Sequence, residues 1–198
     1  MSNIIIIYDT EATCWAKADG KTSSWWSEDW QEPEIIQIAA LKLDARNFNQ
    51  VAAPFNVLIK PSINPTLSPY CTKLTSITDA QLAKDGVSFK DAALAFQHYC
   101  GGETPLSYGD DHRYLNYNRD DLYGLSIPPF IGQDLRPLFM AIDPATQHIN
   151  SGRLAAHFGL NAKIQEHYAL EDCRSIQAAL KHFQNHPELL SYFKRPSP

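Results

Sequence analysis

Residues 4–7 are four consecutive isoleucines, followed at once by Tyr8, Asp9, Thr10 and Glu11. β-Branched side chains pack well on a pleated strand, and an unbroken apolar run fits a strand buried on both faces. In an extended chain residues i and i+2 point the same way. Asp9 and Glu11 are therefore expected to project together from the end of a buried central strand. Like charges held close resist ionising unless a cation lies between them. A hard divalent ion with a preference for oxygen ligands, Mg²⁺ or Mn²⁺, meets that need. The plainer reading of the pair, two acidic residues opening a solvated loop, is decided by the rest of the chain.

The 198 residues are expected to form a single domain with a core over about residues 3–184 and a helical tail over 185–198. Hydrophobic residues at 44% and charged residues at 20% describe a folded chain, not a disordered or fibrous one. The isoleucine run is too short to span a bilayer and no targeting signal accompanies it, so the expected compartment is the cytoplasm, with no membrane partner. The four cysteines, Cys14, Cys71, Cys100 and Cys173, form no zinc spacing and read as reduced thiols. With 17 basic against 22 acidic residues the net charge is −5, which argues against a broad basic surface for long duplexes. A nucleic acid whose end enters a metal-lined pocket is not excluded by that balance.

Residues 15–33 lack a clean period and read as a loop. All four tryptophans lie here, Trp15, Trp25, Trp26 and Trp30. The loop is either a flap whose indoles stack on bases, or a segment pinned to the protein's own surface or to a partner. Residues 34–44 and 55–59 read as two further strands, and the short connections suggest an antiparallel meander. Ser88 is placed to cap a helix with Phe89, Ala92, Ala93, Phe96 and Tyr99 on one face, ended by Gly101 and Gly102. Residues 105–109 and 131–134 read as short fourth and fifth strands, and a helix is expected to open near Asp110 and Asp111. Asp172, Ile176, Ala179, Leu180 and Phe183 share one face of a last long helix, whose first turn would turn Asp172 inward. An inward carboxylate is costly unless paired or metal-bound. His167 stands just ahead of it.

Tyr8-Asp9-Thr10-Glu11-Ala12-Thr13-Cys14, followed by Glu34-Ile35-Ile36-Gln37-Ile38, resembles the first motif and second strand of the DEDDh 3′–5′ exonucleases of the DnaQ-like/RNase T superfamily. His167-Tyr168-Ala169-Leu170-Glu171-Asp172 is similar to that family's last motif. Tyr70-Cys71-Thr72-Lys73-Leu74-Thr75-Ser76-Ile77-Thr78 is similar to the F-C-x-x-L-T-x-I-T run of the branch holding the Eri-type exoribonucleases and the KapD-like proteins. The third motif departs. Counting forward from Ser107 places His112 where the family has an aspartate; counting back from Tyr114 and Leu115, as packing residues of the helix, places Asp111 there. Helix packing fixes side-chain direction more firmly than loop length does, which favours Asp111. Imidazole is also the poorer magnesium ligand. Tyr168 stands where many relatives have an arginine.

The resemblance implies an α/β, ribonuclease H-like fold, a mixed five-stranded sheet flanked by helices. It implies hydrolysis of the terminal phosphodiester at the 3′ end of RNA, with single-stranded DNA a second substrate, releasing nucleoside 5′-monophosphates. Asp9, Glu11, Asp111 and Asp172 would hold two Mg²⁺ or Mn²⁺ ions, and His167 would be the general base. Thr10, Ala12, Trp15, Trp25 and Trp26 are candidate substrate contacts. The third-motif departure and the tryptophan loop also allow a different class of function: a DEDDh-like module with an impaired site that binds nucleic acid or protein.

Overall fold

The computed structural model describes residues 3–16, 23–24, 28, 30–160 and 166–194. Strand β1 (Ile4–Ala12) is central, as its isoleucine run requires. A small ribbon follows, β2 (Trp15–Ala16) against β3 (Ser23–Ser24), where the sequence reads as loop throughout. Two-residue strands give no detectable period, which is why the ribbon is invisible to pattern reading. Strands β4 (Ile35–Asp44), β5 (Phe55–Leu58), β6 (Leu106–Ser107) and β7 (Gln133–Asp134) complete a five-stranded sheet in the order β5-β4-β1-β6-β7. Strands β1, β4 and β5 form the antiparallel meander, while β6 runs parallel to β1 and β7 parallel to β6.

Helices α1 (Pro69–Thr75), α2 (Asp79–Asp85) and α3 (Phe89–Cys100) follow the meander. Each begins at a hydroxyl cap, Ser68, Thr78 and Ser88 in turn, whose side chain accepts an otherwise unpaired first-turn N–H. Then come α4 (Asp111–Tyr117), α5 (Arg136–Ile142), α6 (Leu154–His157), α7 (Ala169–His182) and α8 (Pro187–Lys194). A single π-helical turn, residues 118–122, extends α4, and a 3-10 turn, residues 151–153, precedes α6.

Period-two alternation along β1 splits the core into two layers. Ile6 and Tyr8 face α3 and pack with Ala92, Ala93 and Phe96. Ile7 faces α7 and packs with Ala39, Leu41, Cys173, Ile176 and Leu180. Burying a side chain such as Ile176 contributes about 1.5–3 kcal/mol, so α7 is firmly seated. Asp9 and Glu11 share the parity of Ile7 and therefore emerge on the α7 face, just past the end of its apolar contact. Within the expected C-terminal tail, residues 187–194 form α8, which lays the buried Leu189 into this layer and sets Phe193 against Phe48, ring centroids 5.4 Å apart. Among the described residues no helix is long and apolar enough to cross a membrane.

Candidate active site

Four acidic side chains from three separate segments meet at the C-terminal end of β1. Asp9 and Glu11 are buried there, and the register with β4 shifts between Glu11 and Ala12. Such a bulge bends the strand and ends regular pairing where the side chains must be aimed. Asp172 comes from the first turn of α7 and is 3% exposed. One carboxylate oxygen each of Asp9, Glu11 and Asp172 lies within 4.8 Å of the others. The helix dipole favours an anion at that turn, but by far less than burial beside two more carboxylates costs it.

Helix α7 is fixed at its start by Gln37, a fully buried amide within the otherwise apolar residues 35–41 of β4. Its Oε1 accepts from the Ala169 N–H at 3.0 Å and its Nε2 donates to Asn56 Oδ1 at 2.8 Å. Gln37 lies opposite Glu11 in the β1–β4 register. One side chain therefore ties the helix that carries Asp172 to the strand pair that carries Glu11. The isolated polar position in residues 35–41 was the available signal for this anchor.

Ser151 and Gly152 form the wall behind Asp172. The Ser151 hydroxyl donates to Asp172 Oδ2 at 3.0 Å. A Cβ on Gly152 would stand 2.5 Å from Asp172 Oδ1 and 3.1 Å from the Glu166 Cα, so only glycine admits the carboxylate there. Neither residue belongs to a motif that sequence reading recognises. Asp172 Oδ1 itself is buried without a hydrogen-bond partner. A buried carboxylate with one unpaired oxygen, grouped with two further carboxylates, matches what a divalent cation requires, and the all-oxygen donor set suits Mg²⁺ or Mn²⁺.

Asp111 opens α4 beside this group. The short β6 pairs β1 only at Ile7 and Leu106, which leaves the later part of that edge to side chains. Asp111 Oδ1 accepts from the Thr10 hydroxyl at 2.7 Å and from the Thr10 N–H at 3.1 Å. His112, the other candidate for this position, turns toward Gly132, where an added Cβ would lie 3.1 Å from the His112 Cβ. Of the two, it is Asp111 whose charge bears on Asp9, Glu11 and Asp172. Thr10, a candidate substrate contact, uses both its hydroxyl and its N–H to hold Asp111. Ala12 is buried, and Trp15 stands at the rim, half-buried. Trp25 and Trp26 lie outside the described residues.

The electrostatics follow from burial and crowding. Burial raises the Asp9 carboxyl well above the ordinary range, and the charges of Asp172, Asp111 and Glu11 raise it further. Glu11 rises for the same reasons, with Asp172 the foremost neighbour. Asp172 is pushed up to about 7, mainly by burial, against the pull of the Ser151 hydroxyl. Burial also raises Asp111, while the two bonds from Thr10 pull it back. His167 is half-buried just ahead of α7, with a left-handed backbone at φ 60°. Burial lowers the pKa of its imidazole, Glu166 raises it and Arg153 lowers it. Arg153 Nε pairs with Glu166 Oε1 at 3.1 Å, which holds the residue before His167 against the 3-10 turn that supports Asp172.

Residues 6–180 match the exonuclease family typified by RNase T. The chain belongs to this exonuclease family. Among characterised proteins it is similar to ERI1 exoribonuclease 2 of Xenopus laevis, 37% identical over 95 residues, 48% of this chain and 12% of that one. It is also similar to the 3'-5' exonuclease Snipper of Drosophila melanogaster, 31% identical over 99 residues, 50% of this chain and 32% of that one. The chain thus matches less than a third of either relative's length. In fold it is similar to the nuclease domain of 3'hExo, a DEDDh family member solved bound to rAMP, with a TM-score of 0.73, 22% identity and 94% of both chains covered. Escherichia coli exonuclease I in complex with a dA16 oligonucleotide is similar at a TM-score of 0.69 and 17% identity, over 96% of this chain and 43% of that one. These likenesses bear out the ribonuclease H-like fold and the Eri-type DEDDh resemblance.

Proposed function

We propose that this chain is a divalent-metal-dependent 3′–5′ exonuclease that removes nucleoside 5′-monophosphates from the 3′ end of RNA and, as a second substrate, single-stranded DNA. The observation that carries the proposal is the crowding of Asp9, Glu11 and Asp172, with the Asp111 charge bearing on all three and with Asp172 Oδ1 unpaired. Support for RNA comes from the Eri-type exoribonuclease relatives and from the 3'hExo fold.

In this reading the four carboxylates hold two ions, Mg²⁺ or Mn²⁺. When bound, such ions supply Lewis-acid polarisation of a phosphoryl oxygen and a water of lowered pKa. The remaining work belongs to the chain. His167, neutral at physiological pH because burial disfavours its charged form, takes the proton of the attacking water. The water oxygen bonds to phosphorus, the bond from phosphorus to the 3′ oxygen breaks, and that oxygen takes a proton from solvent as it leaves, while His167 returns its own to solvent. Thr10 keeps Asp111 facing the other carboxylates, Ser151 and Gly152 do the same for Asp172, and Gln37 holds α7 in register with β1.

A time course on 5′-labelled single-stranded RNA and DNA oligonucleotides tests this, with Mn²⁺, Mg²⁺ or EDTA. The expected result is a metal-dependent ladder shortening from the 3′ end, faster on RNA and absent in Asp9→Ala. Products that do not shorten from the 3′ end, or equal cleavage by Asp9→Ala, would remove the proposal.

A further inference from the structure

Beyond the carboxylates, one exposed aromatic group is held too firmly to be incidental. Trp30 is 57% exposed, and its ring packs edge-on against Trp15, centroids 5.3 Å apart and planes at 80°. The segment on which the pair stands is clamped from several sides. The Thr13 N–H donates to the Glu34 carbonyl at 2.9 Å and the Thr13 hydroxyl to the Glu32 carbonyl at 2.6 Å. The fully buried Asn118, at the start of the π-helical turn, accepts from the Ile35 N–H and donates to the Pro33 carbonyl. The buried Glu34 carboxylate accepts three consecutive N–H groups, of Ser62, Ile63 and Asn64. Asn64 in turn donates to the Trp30 carbonyl at 3.4 Å. A π-helical turn is uncommon and tends to be kept where it serves function; here it grips the root of the tryptophan segment.

We infer that Trp30, braced by Trp15, is a stacking platform for an unpaired nucleobase upstream of the 3′-terminal nucleotide. This rests on the exonuclease reading above and adds where the strand goes next. Trp15 follows Glu11 by four residues, so at most about 14 Å of extended chain separates them, and the Trp30 ring centroid lies 5.3 Å from that of Trp15. A stacked strand advances about 3.4 Å per nucleotide, which puts the platform within roughly six nucleotides of the cut. The charge balance explains why stacking is needed. With 22 acidic against 17 basic residues, and with carboxylates at the site, the net charge of −5 works against holding a phosphate backbone by charge alone. Indole stacking is indifferent to base identity and adds affinity without charge. The platform therefore gives binding that depends on strand length and only weakly on salt, unlike binding through phosphates.

The test compares kcat/KM on a hexauridylate with kcat/KM on the p-nitrophenyl ester of thymidine 5′-monophosphate, which has no upstream base. The ratio of the two is expected to fall about tenfold or more in Trp30→Ala and to recover most of the way in Trp30→Phe. An unchanged ratio, including equal loss on both substrates, overturns the platform and leaves the pair as packing or as a protein-binding surface. Anisotropy of 5′-fluorescein hexauridylate with Ca²⁺ separates this inference from the exonuclease reading. If the wild type cleaves nothing yet binds about tenfold more tightly than Trp30→Ala, the platform stands and the reaction falls. Equal binding by the two proteins, or a steep salt dependence that Trp30→Ala shares, overturns the platform.

Discussion

Removing the metal should turn the active site into the weakest part of the fold, and the effect should grow with pH. Without a cation, buried carboxyls whose folded pKa values lie above their unfolded ones hold protons that the unfolded chain has released. Stability then falls as pH rises through that interval, because the folded state binds more protons. For Asp172 the interval runs from 3.8 to about 7. At about 1.4 kcal/mol per pH unit this is about 4 kcal/mol, a large part of the roughly 5–15 kcal/mol of a typical domain. For a chain of this size each kcal/mol moves the melting temperature by about 2–4 °C. Between pH 5 and about 7 roughly 3 kcal/mol of this is lost, so in EDTA the protein should melt about 5–10 °C lower at pH 8 than at pH 5, and saturating Mn²⁺ should close the gap, since metal binding strengthens as its ligands deprotonate. Asp172→Asn keeps the side-chain shape, removes the charge and should flatten both responses. Thermal melts of the two proteins at pH 5, 6, 7 and 8, with EDTA or Mn²⁺, decide the matter. A Mn²⁺-induced shift that does not widen with pH, or that survives in full in Asp172→Asn, would refute the reasoning.

Three further outcomes are expected. His167→Ala should lower turnover by about 10²–10⁴-fold, the usual range for a lost general base, and should remove the acid limb of the pH–rate profile; an unchanged rate and profile would take His167 out of the mechanism. Asp111→Asn should abolish metal-dependent cleavage while His112→Asn retains most of it, and the opposite pattern in the same ladder assay would reassign the third motif. Gly152→Ala places a Cβ 2.5 Å from Asp172 Oδ1. It should cost about 1–3 kcal/mol through overpacking and suppress the Mn²⁺-induced thermal shift, whereas a wild-type melt with a wild-type shift would mean that the wall behind Asp172 yields freely.

Strong periodicity made the frame of this molecule legible. The isoleucine run located the central strand, i and i+2 spacing placed Asp9 and Glu11 on one face, and the apolar stripe of α7 brought Asp172 inward. The third carboxylate was harder, because loop counting and helix packing point to adjacent residues; the Thr10 bonds to Asp111 are what separate them in the structure. Ser151 and Gly152 could not have been read as site residues, and Gln37 shows in the sequence only as a lone polar position within an apolar run. Their roles depend on contacts between segments distant in sequence, and a serine or a glycine carries no pattern of its own. The ribbon of β2 and β3 escaped for a different reason, since two residues per strand are too few to show alternation.

The placement of the acidic residues also governs when the site can exist. Asp9 and Asp172 stand 163 positions apart in the sequence and meet only across the β1–α7 contact. Contacts of such separation must overcome chain-closure entropy before any packing rewards them, and they form late. A chain that has emerged only as far as α6 has its central strand and three of its four carboxylates, Asp9, Glu11 and Asp111, but not the helix that supplies Asp172. Assembly of the acid cluster is thus tied to completion of nearly the whole fold, so a nascent or C-terminally nicked chain carries the cluster incomplete.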